Sequence, residues 1–253
     1  RTDRLVKQYN NKLAVDNVTM TIEKGKIYGF IGENGAGKTT TIRIIMGLTE
    51  ATSGSLEIFG EKTKAGLIKA CKRIGTLVER PILFLDMTAR ENLELQSILY
   101  GQKNKEIVDK LLKRVGLFDV GNKKVKDFSL GMKQRLGIAM ALVQEPKFLI
   151  LDEPVNGLDP TGMIDVRELL ISLKEKDGIT IIISSHILAE LYQLATDYII
   201  ISNGRIVAQL VFCKNFLLKV ASNFSIVLQL HFPQCCKVIF LPYSTGNRWY
   251  ADI

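Results

Sequence analysis

The stretch KIYGFIGENGAGKTTTIRIIMGL (residues 26–48) decides the fold. Its first part, KIYGFIG (26–32), is a short run of strand-forming residues. GENGAGKT (32–39) matches the pattern G-x-x-x-x-G-K-[ST] in full. GKTTTIRIIMGL (37–48) then carries apolar residues at helical spacing. Strand, glycine loop and helix in that order make a phosphate cradle. Gly32, Gly35 and Gly37 let the backbone wrap around an anion with its N–H groups turned inward. Glu33, Asn34 and Ala36 fill the positions between them and belong to the same binding loop. Lys38 is expected to hold the β- and γ-phosphates as a point charge, and Thr39 to put its hydroxyl on Mg²⁺. Thr40 is expected to donate on the α-phosphate side. The helix starting near Lys38 aims its positive end at the anion.

Two later segments supply what a phosphate loop lacks. FLILDEP (148–154) is a nearly continuous apolar run, as in a strand buried on both faces, and ends in two adjacent carboxylates. Asp152 at the strand end suits Mg²⁺, directly or through water. Glu153 suits the base that orients and deprotonates an attacking water. ITIIISS (179–185) is another buried strand, and SSH (184–186) places His186 just beyond it. An imidazole there, next to the carboxylate strand, can contact a γ-phosphate.

Between these segments the text turns helical. Thr88 followed by Glu91 reads as a capping box. Ile107, Leu111, Leu112 and Val115 share one helical face. A helical insertion is therefore expected over roughly 85–145, with GMKQRLGIAMALVQ (131–144) as its last helix, ended by Glu145-Pro146. NVTMTI (17–22) and GSLEIFG (54–60) read as strands in the β-rich opening third. TGMIDVRELLISLKEK (161–176) and ILAELYQLA (187–195) read as helices. DYIIISNGRIVAQ (197–209) reads as a hairpin turning at Asn203-Gly204. Buried strands alternating with helices argue for an α/β sheet. From about residue 210 the apolar residues hold no period. Residues 210–253 read as an atypical C-terminal tail, for which a small accessory β unit and a vector-derived or frame-shifted tail both stay open.

Composition sets the outer limits. The 253 residues suit one domain, or one domain with a subdomain. The formal charge of +8 fits nucleic acid, an anionic membrane face or simply a lysine-rich surface. The basic residues are spread along the chain, which weakens the nucleic-acid case. No uninterrupted apolar run of about 18 residues requires a transmembrane helix, and no secretory signal stands at the start. The absence of an initial Met suggests a trimmed chain. Cys71, Cys213, Cys235 and Cys236 fit neither a zinc knuckle nor a CxxC pair, so reduced thiols are expected.

Taken in order, these motifs resemble those of the nucleotide-binding subunit of an ABC transporter, across roughly residues 1–209. The phosphate loop at 32–39 matches Walker A, SLGMKQ (129–134) the signature, and FLILDE (148–153) Walker B. NGLDP (156–160) matches the D-loop, and His186 the switch histidine. The resemblance implies a P-loop NTPase core with a mostly parallel sheet, an antiparallel β subdomain and an α-helical signature subdomain. It implies ATP and Mg²⁺ as cofactors, with Tyr9 stacked on adenine and Asp159 of the D-loop at the nucleotide. Ser129 and Gly131 of a second copy would close over the γ-phosphate, making an ATP-dependent homodimer. Integral membrane permease subunits would touch the helical subdomain around residues 80–100, with this chain peripheral on the inner face of the cell membrane.

One position departs from the family pattern. IGTLVERPILF (74–84) offers Glu79 where a glutamine usually stands. Ionised, Glu79 accepts hydrogen bonds but cannot donate them, and it can still sit on Mg²⁺ or its water. Glu79, the SLGMKQRLGIAMAL wording and NGLDP are similar to exporters giving immunity to lantibiotics and bacitracin-like peptides. The contrasting class is the soluble ABC ATPase that acts on ribosomes or nucleic acid. Such chains usually carry two ATPase units or a long coiled coil, and neither is found here, so no nucleic-acid partner is expected.

Overall fold

The computed structural model describes residues 1–78, 81–102 and 105–211. Its centre is a six-stranded sheet. The strands are β3 (Ile27–Ile31), β5 (Ile74–Leu77), β6 (Phe148–Asp152), β7 (Thr180–Ser185), β8 (Asp197–Ser202) and β9 (Arg205–Val211). Their spatial order is β5-β6-β7-β3-β8-β9. Every neighbouring pair is parallel except β8 with β9, which is antiparallel. A separate antiparallel sheet orders β2 (Lys12–Met20), β1 (Thr2–Tyr9) and β4 (Ser53–Leu56).

The apolar runs are continuous because the central strands are covered on both faces. Every residue of β6 and β7 is buried. Alternate side chains go to opposite layers, as the period of two requires. Leu149, Leu151, Ile181 and Ile183 join the layer that contains the helices α3 (Ala89–Leu99), α4 (Lys105–Arg114), α5 (Leu130–Ala141) and α6 (Pro160–Asp177). Phe148, Ile150 and Ile182 join the other layer, with Ile42, Ile44 and Ile45 of α1 (Lys38–Ile45) and the antiparallel sheet.

Local signals account for most element ends. Thr88 and Glu91 form the expected capping box at the start of α3. Leu111, Leu112 and Val115 are buried, with Ile107 packed against the same cluster. Asn203 and Gly204 both take positive φ, 47° and 77°, which the tight β8–β9 turn requires.

Three expectations shift. The helix expected at 187–195 is only α7 (Leu188–Leu191), after which the chain turns to place Leu194 and Ala195 in the core. α5 stops at Ala141, short of Pro146, where the chain is already turning. The strand expected at 17–22 begins earlier, at Lys12, and pairs with β1 through bulges. The helix α2 (Lys64–Cys71) was not anticipated; Thr63 caps it by accepting from the Gly66 N–H. Of the four cysteines, Cys71 is a free thiol, half-buried, and burial raises its pKa. Cys213, Cys235, Cys236 and the segment beyond Val211 lie outside the described residues. No helix among the described residues is long and apolar enough to cross a membrane.

Candidate active site

Parallel pairing brings the carboxyl ends of β3, β6 and β7 side by side, at the edge where α/β sheets bind ligands. The glycine loop leaves β3 there and enters α1. Two of its glycines are demanded by close approach. A Cβ on Gly32 would lie 2.4 Å from the Ile201 carbonyl oxygen. One on Gly37, at φ 106°, would lie 2.6 Å from the Ala14 carbonyl oxygen. Gly37 also starts α1, so no side chain caps that helix and its first N–H groups are left for an anion.

Lys38 is buried at the centre of this loop. Its ammonium donates to the carbonyls of Gly32 (2.7 Å) and Glu33 (3.3 Å). It also lies 3.4 Å from Oε1 of Glu153. The Thr39 hydroxyl donates to Oδ2 of Asp152 at 2.8 Å, tying the start of α1 to the end of β6. Thr40 lies one residue further along α1.

Glu153 carries a strained backbone. Its φ of 51° lies in the left-handed region, which a non-glycine residue adopts at a cost of order 1–3 kcal/mol. Its N–H is held by the Ser184 carbonyl (3.2 Å) and hydroxyl (3.0 Å) on β7. That turn sends the carboxylate back across the strand ends, where Oε2 meets Nδ1 of His186 at 2.9 Å. Lys38, Thr39, Asp152, Glu153 and His186 are therefore brought together, as their positions in the sequence suggested.

Ser184 was not singled out from the sequence. It is fully buried, and its hydroxyl donates to Oδ1 of Asp152 while accepting from the Glu153 N–H. One hydroxyl thus holds the Asp152 carboxylate and the backbone turn at Glu153. The signal was present in SSH, but a serine two residues before a histidine has no distinguishing pattern. The β8–β9 turn was also missed as part of the site. Gly204 donates to the Ala36 carbonyl (2.9 Å) and accepts from the Asp16 N–H (2.8 Å), bracing the phosphate loop from behind.

The remaining candidates sit elsewhere. Tyr9 ends β1, half-exposed, with the Lys7 ammonium over its ring at 5.0 Å from the centroid. Ser129 is the exposed N-cap of α5, its hydroxyl accepting from the Met132 N–H at 3.2 Å. Gly131 lies against Gly162 of α6: a Cβ on it would be 3.5 Å from the Gly162 Cα. Asp159 is the exposed N-cap of α6. Ser129, Gly131 and Asp159 thus form a second cluster, where α5 and α6 begin. Glu79 lies outside the described residues.

The donor set suits a hard cation. Thr39 and Asp152 offer oxygen only, and they already point at one another. Among the described residues, no group of three or more His, Cys, Asp or Glu side chains could hold a metal unaided. Mg²⁺ fits such a site, because it takes one or two protein oxygens and completes its shell with water and phosphate.

Comparison with known proteins agrees with this geometry. The family model described as ABC transporter matches residues 15–156. The chain is 47% identical over 212 residues to the bacitracin transport ATP-binding protein BcrA of Bacillus licheniformis, covering 84% of this chain and 69% of that one. It is 43% identical over 209 residues to the lantibiotic transport ATP-binding protein SrtF of Streptococcus pyogenes, covering 83% and 89%. Among solved structures, it resembles cbiO1 from Clostridium perfringens, part of the ABC transporter complex cbiONQ. That match has a TM-score of 0.76 at 28% identity over 83% of this chain and 87% of that one. A dimeric ATP-binding cassette in a post-hydrolysis state, bound to ADP and Pi, matches at a TM-score of 0.73 and 26% identity, covering 83% and 97%.

Proposed function

The chain belongs to the ABC transporter family and is an ATP-binding, ATP-hydrolysing subunit; from that premise we propose that it powers the export of a peptide antibiotic, bacitracin-like or lantibiotic, for self-protection. The carrying observation is the convergence of Lys38, Thr39, Asp152, Glu153 and His186 at one sheet edge. The names of the two peptide-antibiotic relatives supply the substrate class.

The residues divide the work as follows. The glycine loop and Lys38 hold the phosphates of ATP, and the half-exposed Tyr9 receives the adenine. Thr39 and Asp152 would hold Mg²⁺, which when bound would supply charge neutralisation on the phosphate oxygens. Glu153 accepts the proton of the attacking water, oriented by Ser184 through its N–H and by His186 through its carboxylate. Gln at 153 would keep the shape and lose the base.

Ser129 and Gly131 lie with Asp159 in the second cluster and serve the ATP held by another copy. A serine hydroxyl and the free N–H groups of a helix start are good anion donors. Two copies therefore close around ATP as a homodimer and open after hydrolysis. Separate membrane permease subunits harvest that motion, with this chain held peripherally at the inner face of the cell membrane.

The test is resistance. Cells expressing this chain with its permease subunits should tolerate more bacitracin or lantibiotic than cells carrying Glu153→Gln in its place. Equal tolerance with the two chains would remove the export reading.

A further inference from the structure

The two serines that end β7 face opposite layers, because side chains alternate along a strand. Ser184 meets Asp152, whereas Ser185 meets the short helix that follows, α7. Ser185 is fully buried. Its hydroxyl lies 2.7 Å from Oε2 of Glu190, on α7, and 3.2 Å from the Ile187 carbonyl oxygen. The same hydroxyl accepts from the Ile187 N–H at 2.9 Å. The Ser185 carbonyl accepts from the Gly32 N–H of the phosphate loop at 3.4 Å. His186 stands between Ser185 and Ile187, so one hydroxyl closes the turn that carries the imidazole.

A hydroxyl has one proton to give. Two acceptors compete for it here, and the carboxylate wins over the carbonyl because its charge shortens and strengthens the bond. Glu190 therefore draws the Ser185 proton toward α7 and leaves a lone pair for the Ile187 N–H. Leu188 and Leu191 of α7 are buried in the core, so the carboxylate is presented from a fixed support. Without Glu190 the proton turns to the Ile187 carbonyl, on the same residue whose N–H the hydroxyl must hold. The peptide after His186 then rotates, and the imidazole loses its place 2.9 Å from Glu153.

We propose that Glu190 is a positioning residue for hydrolysis: through the Ser185 hydroxyl, its carboxylate fixes the turn that holds His186 against Glu153. This rests on the reading that Glu153 and His186 serve the attacking water. Glu190 acts at one remove, and small displacements of a group beside the reacting atoms are enough to slow the chemical step.

Steady-state ATPase kinetics on the full chain test the proposal. Glu190→Ala should lower kcat at least about fivefold, with KM for ATP changed by less than about twofold. Glu190→Gln keeps an oxygen that accepts from Ser185, so its kcat should stay within about twofold of the unaltered chain. Ser185→Ala breaks the same link from the other side and should match Glu190→Ala. In a His186→Ala background, Glu190→Ala should cause no further loss, because the group it positions is gone. A merely structural role would lower kcat by the same factor in both backgrounds, and that result would overturn the proposal. So would an unchanged kcat in Glu190→Ala, or a Glu190→Gln chain as slow as Glu190→Ala. Full kcat in His186→Ala alone would overturn the reading of His186 together with the proposal.

Discussion

Nδ1 of His186 meets Oε2 of Glu153 at 2.9 Å, across the ends of two adjacent parallel strands. The other carboxylate oxygen faces the Lys38 ammonium at 3.4 Å. The carboxylate is thus held at both ends, where a water attacking a bound phosphate would be deprotonated. Replacing Glu153 by Gln should lower kcat for ATP by about 10²–10⁴ with ATP still bound. His186→Ala should also lower kcat, with a smaller change in KM, because it removes the partner of the proposed base and leaves the phosphate loop intact. Steady-state ATPase kinetics check both.

Thr39 and Asp152 share one hydrogen bond and the expected Mg²⁺. Thr39→Ala removes the proposed cation ligand and leaves the Asp152 carboxylate held by Ser184 alone. The Mg²⁺ concentration for half-maximal hydrolysis should rise at least about tenfold. Chelation should abolish hydrolysis in the unaltered chain, and titration with Mg²⁺ should restore it.

Gly204 braces the phosphate loop at φ 77°, with Ala14 so close that a Cβ would lie 3.0 Å from its carbonyl oxygen. Gly204→Ala should cost roughly 1–2 kcal/mol in backbone strain. It should also displace the contact with Ala36, raising KM for ATP more than it lowers kcat. An equal effect on a position remote from the loop would contradict the bracing role.

Thr88 caps α3 and receives the Glu91 carboxylate on its own N–H at 2.7 Å. That hydrogen bond holds the Glu91 carboxyl below its usual pKa. Thr88→Ala should destabilise the fold by about 1 kcal/mol, which corresponds to a fall in Tm of about 2–4 °C. Thermal unfolding with and without the substitution measures it. The stabilising contribution of Glu91 is present above the unfolded carboxyl pKa. It fades as pH falls through the lower, folded value.

The phosphate loop, the carboxylate strand and the His186 strand were legible because each couples an unusual residue order to a buried apolar run. The capping box and the Asn203-Gly204 turn were legible because both are local. Ser184 was not, since its role depends on the pairing of β6 with β7, which is a property of the sheet. The left-handed Glu153 was hidden for the same reason: a β7 serine holds it there. α2 escaped because Gly66 and the exposed lysines Lys64 and Lys69 blur its apolar face. The bulged pairing of β1 with β2 interrupts the alternation that would have marked where those strands begin and end.

Ser129 and Gly131 are proposed to act on the ATP of a neighbour. Ser129→Asp keeps a capping oxygen for α5 and adds a charge that repels phosphate. Gly131→Asp adds the same charge beside Gly162. The deciding measurement is sedimentation of the Glu153→Gln chain with ATP, alone and with either substitution. The Glu153→Gln chain should form a dimer only when ATP is present. Chains also carrying Ser129→Asp or Gly131→Asp should bind ATP with unchanged affinity and remain monomeric. ATP-driven dimers of those doubly substituted chains would contradict a role for Ser129 and Gly131 at the neighbour's ATP.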